Sequence, residues 1–326
     1  ADTVRRVTTQ GHAVEVVVGR AGTGKTYTMR TVRHVHERAG NRLVGVCPTA
    51  RAARELADGA GIESFTVPRF LNHAQLDAST VVVIDEAGMC GTVDLHRIVT
   101  RARLAGAQVV MVGDHHQLPE IAAGGGFRAA LDAIGPGRSE LVINRRQRHE
   151  WEHQALDHLR NGNLTTFWET YNQHDRVVTS DDIDALHERA LDDWWTNHRA
   201  GSDAHLIAGT RAEARLLNRL ARQRAAQAGH LTGAALVVRS RQFQVGDRVV
   251  LLKNMPGQLD LATGRRCRVD NGTIGTITHI GHDDSTIDID LKSERHVRLT
   301  TEYVTGGHVD HGYATTIHKA QGLTCD

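Results

Sequence analysis

Val14-Glu15-Val16-Val17-Val18-Gly19-Arg20-Ala21-Gly22-Thr23-Gly24-Lys25-Thr26 is an apolar run that empties into GxxxxGKT, and a helix-like stretch, Tyr27–Ala39, follows it. Strand, glycine loop and helix form the context that makes this pattern a phosphate-binding loop; a glycine-rich turn that binds nothing rarely carries all of it. The residue types follow from the chemistry. Glycines let backbone N–H groups turn into the loop, the helix N-terminus adds about half a positive charge, and a lysine supplies a full one. Gly19, Arg20, Ala21, Gly22, Thr23, Gly24, Lys25 and Thr26 are therefore expected to hold the phosphates of a nucleoside triphosphate, with Lys25 at the β- and γ-phosphates and the Thr26 hydroxyl on Mg²⁺.

The surrounding residues repeat the alternation. Leu43–Cys47 reads as a buried strand stopped by Pro48, and Ala50–Asp58 as a helix. Val81–Ile84 ends in Asp85-Glu86, and Gln108–Val112 ends in Gly113-Asp114. Strands alternating with helices specify a parallel α/β sheet, whose ligands lie beyond the strand C-termini. At such a tip Asp85 can orient the water shell of Mg²⁺, and Glu86 can polarise an attacking water. An apolar strand ending in Asp-Glu says little alone, but downstream of a phosphate loop it supplies the second half of a nucleotide hydrolase. Gln117, in the loop Gly113–Pro119, brings an amide to where a γ-phosphate could be sensed. By itself, a polar loop after a strand is more often structural.

After Pro136 the alternation recurs more weakly. Strand Glu140–Ile143 precedes a long acidic helical stretch containing Trp151, Trp168, Trp194 and Trp195, and strand His205–Gly209 follows. Short β-branched runs then appear at Val249–Leu252, Thr273–Ile280, Thr286–Leu291 and His296–Thr300, separated by Gly, Asn and Asp turns. They point to a small β-barrel over 242–304 inserted in a second domain. Helical character resumes at Gly312–Gln321. The expected divisions are 1–136 for a first domain, 137–241 and 305–326 for a second, and 242–304 for the insert.

Composition limits what this frame can be. The chain has 326 residues, 40% hydrophobic and 24% charged, enough for two domains with real cores. No apolar run approaches the roughly 18 residues of a membrane span, and no charged-then-apolar N-terminal segment reads as a secretion signal, so a soluble, cytoplasmic protein without a membrane partner is expected. Cys47, Cys90, Cys267 and Cys325 form no CxxC, which argues against a disulfide frame or structural metal. A net charge of +1 conceals unevenness: residues 150–200 carry eleven acidic side chains against four Arg, whereas 205–241 carry seven Arg against Glu213. That asymmetry permits a polyanionic partner. The only lysines are Lys25, Lys253, Lys292 and Lys319.

Pro48-Thr49-Ala50, Asp85-Glu86, Gly113–Pro119, Arg145-Arg146-Gln147 and His318-Lys319-Ala320-Gln321-Gly322 occur in that order. On these residues the chain resembles superfamily 1 helicases of the RecD type, and within them the helicase region of TraI/TrwC-like conjugative relaxases. Gly19–Thr26 is similar to the family's motif I, Cys47–Ala53 to Ia, Ser64–Leu71 to Ib, Asp85–Met89 to II, Gly113–Pro119 to III, Leu141–Gln147 to IV and Tyr313–Thr324 to V, so the resemblance covers nearly the whole chain. It implies an α/β fold of two RecA-like P-loop NTPase domains with parallel sheets, and an SH3-like barrel as the insert in the second. It implies ATP with Mg²⁺, the metal at Thr26 and Asp85. Arg146, with Arg145 as second choice, is implied to reach the γ-phosphate from the second domain, and Gln321 and Gly322 are implied to join the nucleotide site.

The implied partner is single-stranded DNA, gripped by Thr49, Ala50, Ser64 and Thr66 on the first domain and by Thr210, Arg211, Thr315, His318 and Lys319 on the second. Short hydroxyls and backbone N–H groups suit phosphate contact without base reading. Taken singly, each hydroxyl would serve as well in a helix cap. The implied activity is ATP-dependent 5′-to-3′ translocation on DNA, or unwinding, within a larger conjugative relaxase-helicase.

Three departures qualify the resemblance. The sequence stops soon after motif V, before the arginine-bearing motif VI, and has no glutamine-bearing segment upstream of Val4. Pro68 stands where the family usually has His. Only Asn72–Ser79 lie between motif Ib and the strand that leads into motif II, too few for a strand-splitting hairpin. The alternative is thus a truncated motor that binds ATP and single-stranded DNA to position it for a neighbouring relaxase domain, with slow hydrolysis and no duplex unwinding.

Overall fold

Valine-rich runs that alternate with helices in the first half of the chain do form one parallel sheet. The computed structural model describes residues 2–120, 122–291 and 295–321, which divide into two units, 1–178 and 179–326. The first unit contains α1 (Asp2–Thr9), β1 (Val14–Gly19), α2 (Lys25–Arg38), β2 (Arg42–Cys47), α3 (Ala50–Ala60), β3 (Glu63–Thr66) and α4 (Val67–His73). It continues with β4 (Thr80–Ile84), α5 (Thr92–Leu104), β5 (Gln108–Gly113), α6 (Gly126–Ile134), β6 (Ser139–Leu141), α7 (Glu150–Arg160) and α8 (Leu164–Gln173). The strand order is β3-β2-β4-β5-β1-β6, every pair parallel.

The strands read as unbroken apolar runs because helices cover both faces of the sheet. In β4, Val82 and Ile84 join one core with Phe70 of α4, Ile98 of α5 and Phe127 of α6. Val81 and Val83 point the other way, to Met29 and Val32 of α2 and Leu56 of α3. Each such side chain, fully buried, stabilises the unit by about 1.5–3 kcal/mol. This two-sided packing fixes the strand tips, where the candidate site residues sit.

β6 corrects the expected domain boundary. The strand anticipated at Glu140–Ile143 in the second domain is Ser139–Leu141, and it pairs with β1, Val17 facing Ser139 and Gly19 facing Leu141. Val142 and Ile143 are exposed. β1 has one edge satisfied by β5, and its other edge would present unpaired N–H and C=O groups without this strand. The division consequently falls after Val178 rather than after residue 136, and Arg145, Arg146 and Gln147 belong to the first unit.

The second unit opens with α9 (Ile183–Arg199), β7 (Leu206–Ala208), α10 (Arg211–Gln227), β8 (Thr232–Val238), β9 (Arg241–Val245), β10 (Arg248–Leu251), β11 (Met255–Asp260) and β12 (Arg266–Val269). β13 (Ile274–Gly281), β14 (Thr286–Leu291), β15 (Arg295–Leu299), α11 (Thr301–Thr305), β16 (Val309–His311), β17 (Ala314–Thr316) and α12 (Ile317–Ala320) complete it. A second parallel sheet was expected here, but among the described residues parallel pairing in this unit is confined to β7 and β17. Most strands form an antiparallel sheet in the order β12-β11-β15-β14-β13-β10-β16, beside the hairpin β8-β9. Connection length is the cause: residues 282–285 suffice to turn β13 into β14 antiparallel, whereas a parallel crossover needs a dozen or more. The sheet overlaps the expected 242–304 insert and runs past it to β16.

Ile277, Ile287, Ile289 and Tyr303 fill the core of this antiparallel sheet, while Trp194, Trp195, Leu217 and Tyr313 pack around β7 and β17. Asp247, between β9 and β10, joins the two regions. Its buried carboxylate accepts from Arg222 Nε of α10 at 3.0 Å and from the Tyr313 hydroxyl at 2.8 Å.

Candidate nucleotide site and nucleic-acid contacts

β4, β5 and β1 are sheet neighbours, so the three motif-bearing loops leave one edge side by side. At the tip of β1, Gly22 and Gly24 both have φ of 77°, a left-handed conformation that glycine adopts without cost. Gly24 caps α2 with no side-chain bond to the first turn, so the N–H groups there stay available to an anion. Lys25 is only 12% exposed, and its Nζ lies 3.3 Å from Gly19 O and 3.4 Å from Glu86 Oε1. Thr26 packs its methyl against Gly59 of α3, where a β-carbon would come within 2.6 Å of it.

Asp85 and Glu86 stand at the tip of β4. The Asp85 N–H donates to Val46 O at 3.0 Å, and the Glu86 N–H donates to Asp85 Oδ1 at 3.0 Å. Burial pushes the Asp85 carboxyl up to about 6, the Glu86 charge adds to the rise, and the Lys25 ammonium opposes it. The Asp85 carboxylate and the Thr26 hydroxyl are hard oxygen donors that fit Mg²⁺, and the open helix N-terminus, with its free N–H groups, fits the phosphate. The residues present thus match the group that the sequence implied.

The loop after β5 is more internally bonded than its sequence suggested. Gln117 spends its side-chain amide on Asp114 Oδ2 at 3.3 Å, and the His116 N–H donates to Asp114 Oδ1 at 3.1 Å. Arg160, at the end of α7, clasps the same carboxylate through two bonds of 2.9 Å. Burial alone would raise the Asp114 pKa; the Arg160 bonds and charge, with the His116 and Gln117 donors, outweigh it and hold it below the usual carboxylate range. A cavity of about 420 Å³, lined by Gly88, Asp114, His115, Gln117, Glu120 and Phe127 among others, adjoins the loop.

Residues 144–147 lie over the phosphate loop within this unit. The Arg145 N–H donates to Gly22 O at 2.9 Å, and Asn144 accepts from the Arg146 N–H at 2.9 Å while donating to Gln147 Oε1 at 2.5 Å. The approach is tight enough that a β-carbon on Gly22 would stand 2.5 Å from Arg146 Cβ. Arg146 was expected to come from the second domain; it arrives on the connection that follows β6, with its side chain exposed. Arg20 pairs with Asp157 of α7. Neither Asp157 nor Arg160 was flagged by the sequence. Both lie far downstream of their partners, and only the opposite charges one turn apart on α7 hint at them.

The residues assigned to DNA divide between the units. Thr49 caps α3, accepting from the Ala52 N–H at 3.1 Å, and Ala50 is that helix's first residue. The Ser64 hydroxyl donates to Ile62 O at 2.7 Å, whereas Thr66 precedes α4 without a side-chain cap bond. In the second unit Thr210 caps α10 by accepting from the Glu213 N–H at 3.1 Å, and Glu213 accepts from the Gly209 N–H at 3.0 Å. Arg211, Thr315 and Lys319 share the lining of a cavity of about 350 Å³ with Arg215, Asn218 and Thr316. His318 is exposed on α12 and Gln321 half-buried after it; Gly322 lies outside the described residues.

The AAA domain family matches residues 1–182, more than half of the chain. The chain belongs to the AAA domain family. Conjugal transfer protein TraA of Agrobacterium fabrum (strain C58) is 36% identical to this AAA-domain chain over 323 residues, 96% of the chain but 28% of that protein. The ATP-dependent RecD2 DNA helicase of Deinococcus radiodurans is 36% identical over 124 residues, 35% of the chain and 17% of its own length. Multifunctional conjugation protein TraI of Escherichia coli (strain K12) is 35% identical over 126 residues, 35% of the chain and 7% of its own. Among solved structures, the Pif1 helicase of Candida albicans superposes with a TM-score of 0.59 at 18% identity, covering all of this chain and 86% of that one, a likeness of fold. The resemblance to RecD-type and TraI-type helicase regions is borne out. The AAA-domain chain spans 28% of the TraA proteins that it matches. No helix among the described residues is long and apolar enough to cross a membrane.

Proposed function

We propose that this AAA domain is the ATP-hydrolysing motor of a 5′-to-3′ single-stranded DNA translocase or helicase, working in the cytoplasm within a longer conjugative protein that also carries a relaxase. The observation that carries the reading is the meeting of Lys25, beyond β1, with Asp85 and Glu86, at the tip of β4 on the other side of β5, with Lys25 Nζ 3.4 Å from the Glu86 carboxylate. In this reading the N–H groups of Gly22–Thr26 and the Lys25 ammonium hold the triphosphate. Thr26 and Asp85 hold Mg²⁺, which when bound neutralises phosphate charge. Glu86 accepts the proton of the attacking water. Gln117 and Arg146 address the γ-phosphate, Gln117 after its amide leaves Asp114.

DNA phosphates fall to the ends of β2 and β3 in the first unit, around Thr49, Ala50, Ser64 and Thr66. In the second unit they fall to Thr210, Arg211, Thr315, His318 and Lys319, three of which line one cavity. The antiparallel sheet takes the place of the SH3-like barrel. Polarity is tested with biotinylated oligonucleotides: ATP-dependent displacement of streptavidin from the 3′ end, and none from the 5′ end, is expected. Displacement from the 5′ end would reverse the assigned direction, and displacement from neither end would support a DNA-binding module in place of a motor.

A further inference from the structure

Residues 144–160 do more than carry Arg146 to the phosphate loop. His153 of α7 bonds to Gln147 O at 3.1 Å, fastening the helix to the segment that lies on Gly22. One turn of α7 then reaches both neighbouring strand tips. Asp157 pairs with Arg20 just beyond β1, and Arg160 holds Asp114 just beyond β5, two paired strands in which Val18 faces Gly113 near their ends. The two pairs differ in weight. Arg20 and Asp157 are 38% and 54% exposed, so water and salt screen them. The Asp114 carboxylate is fully buried, so removing Arg160 would leave it without its counter-charge. That carboxylate is also the acceptor for the His116 N–H and the Gln117 amide.

We propose that Arg160 is a positioning residue for Gln117. Its two bonds fix the Asp114 carboxylate, the 114–117 loop hangs from that carboxylate, and Asp157 braces the same helical turn against the phosphate loop. The kinetic consequence rests on the proposed function, in which Gln117 acts at the γ-phosphate; the geometric consequence does not. A group that engages only as phosphate is transferred affects kcat and leaves ATP binding nearly alone, and two residues that act through one contact give non-additive losses.

Two measurements test this on the whole chain. Hydrogen exchange at the His116 and Gln117 amides should be at least about tenfold faster in Arg160→Gln, with the β4 amides unchanged. Steady-state hydrolysis should show kcat lower by about tenfold or more in Arg160→Gln with ATP affinity within about threefold. Arg160→Lys should recover part of the loss, and Arg160→Gln/Gln117→Ala should be no slower than Gln117→Ala alone. Should Arg160→Gln fail to fold, Asp114→Asn breaks the same contact without leaving a buried charge and carries the same expectations. Unchanged exchange in the 114–117 loop, or losses from Arg160→Gln and Gln117→Ala that multiply, would overturn the proposal. If the unaltered chain shows no turnover that Lys25→Ala abolishes, the functional reading fails and the exchange result alone decides this one.

Discussion

Glu86 adopts φ of 51°, a left-handed backbone that costs a non-glycine residue about 1–3 kcal/mol. The turn is held because its N–H donates to Asp85 Oδ1 and its carboxylate meets Lys25. Glu86→Gln keeps size and hydrogen bonding but loses the base, so turnover should fall by about a hundredfold or more while Mg·ATP binding survives. Nucleotide titration beside a phosphate-release assay separates the two, and loss of binding together with turnover would make Glu86 a binding residue. Asp85 gives a pH prediction. Its folded pKa of about 6 lies above the ordinary 3.8, so the folded state holds the proton more tightly, and the contribution to stability is full below about pH 4 and lost as pH rises through 6. Asp85→Asn should therefore be more stable than the unaltered chain at pH 7.5, by at most about 3 kcal/mol, with a smaller gap at pH 5 in urea unfolding. These residues were legible in the sequence because residue type and a strand tip suffice to mark them. The partners of Asp114 were not, since Arg160 meets it only through the packing of α7.

Gly22 is where one element constrains another. Its φ of 77° and the 2.5 Å between a would-be β-carbon and Arg146 Cβ mean that Gly22→Ala must displace residues 144–147 from the phosphate loop. We expect a stability loss of about 1–2 kcal/mol and weaker Mg·ATP binding, read by melting and by titration. Wild-type affinity in Gly22→Ala would show that the 144–147 segment is not needed at the nucleotide. Four of the six strands of the first unit's sheet, β1, β2, β4 and β5, were legible as valine-bearing apolar runs, whereas β3, the four residues Glu63–Thr66 with no valine, was not read as a strand. β6 was assigned to the wrong unit because three residues carry no period, and its pairing with β1 is decided by an open strand edge. The second unit defeated extrapolation for a related reason. β10, β13, β14 and β15 were visible as β-branched runs separated by short turns and were read as a barrel insert, whereas β8, β9, β11, β12 and β16 were not read as strands.

At the scale of the whole molecule the charge is nearly balanced, with 39 basic against 38 acidic side chains, so any grip on DNA must be local. Arg211, Arg215 and Lys319 line one cavity of the second unit, and the proposed function places DNA phosphates there. Single-stranded DNA affinity should fall steeply with salt and vary little with base sequence, because phosphates carry no sequence information. Lys319→Ala should weaken binding uniformly and lower the salt slope by about one, whereas a flat salt response would remove phosphate contact from the account. The central claim joins a nucleotide site in one unit to DNA dependence of the whole, and one assay addresses it: ATP hydrolysis with and without single-stranded DNA, in the unaltered chain and in Lys25→Ala. The account predicts turnover that DNA accelerates, and that Lys25→Ala lowers by about a hundredfold or more without loss of fold. Turnover at the same rate in folded Lys25→Ala, or a rate indifferent to single-stranded DNA that is bound, would contradict it.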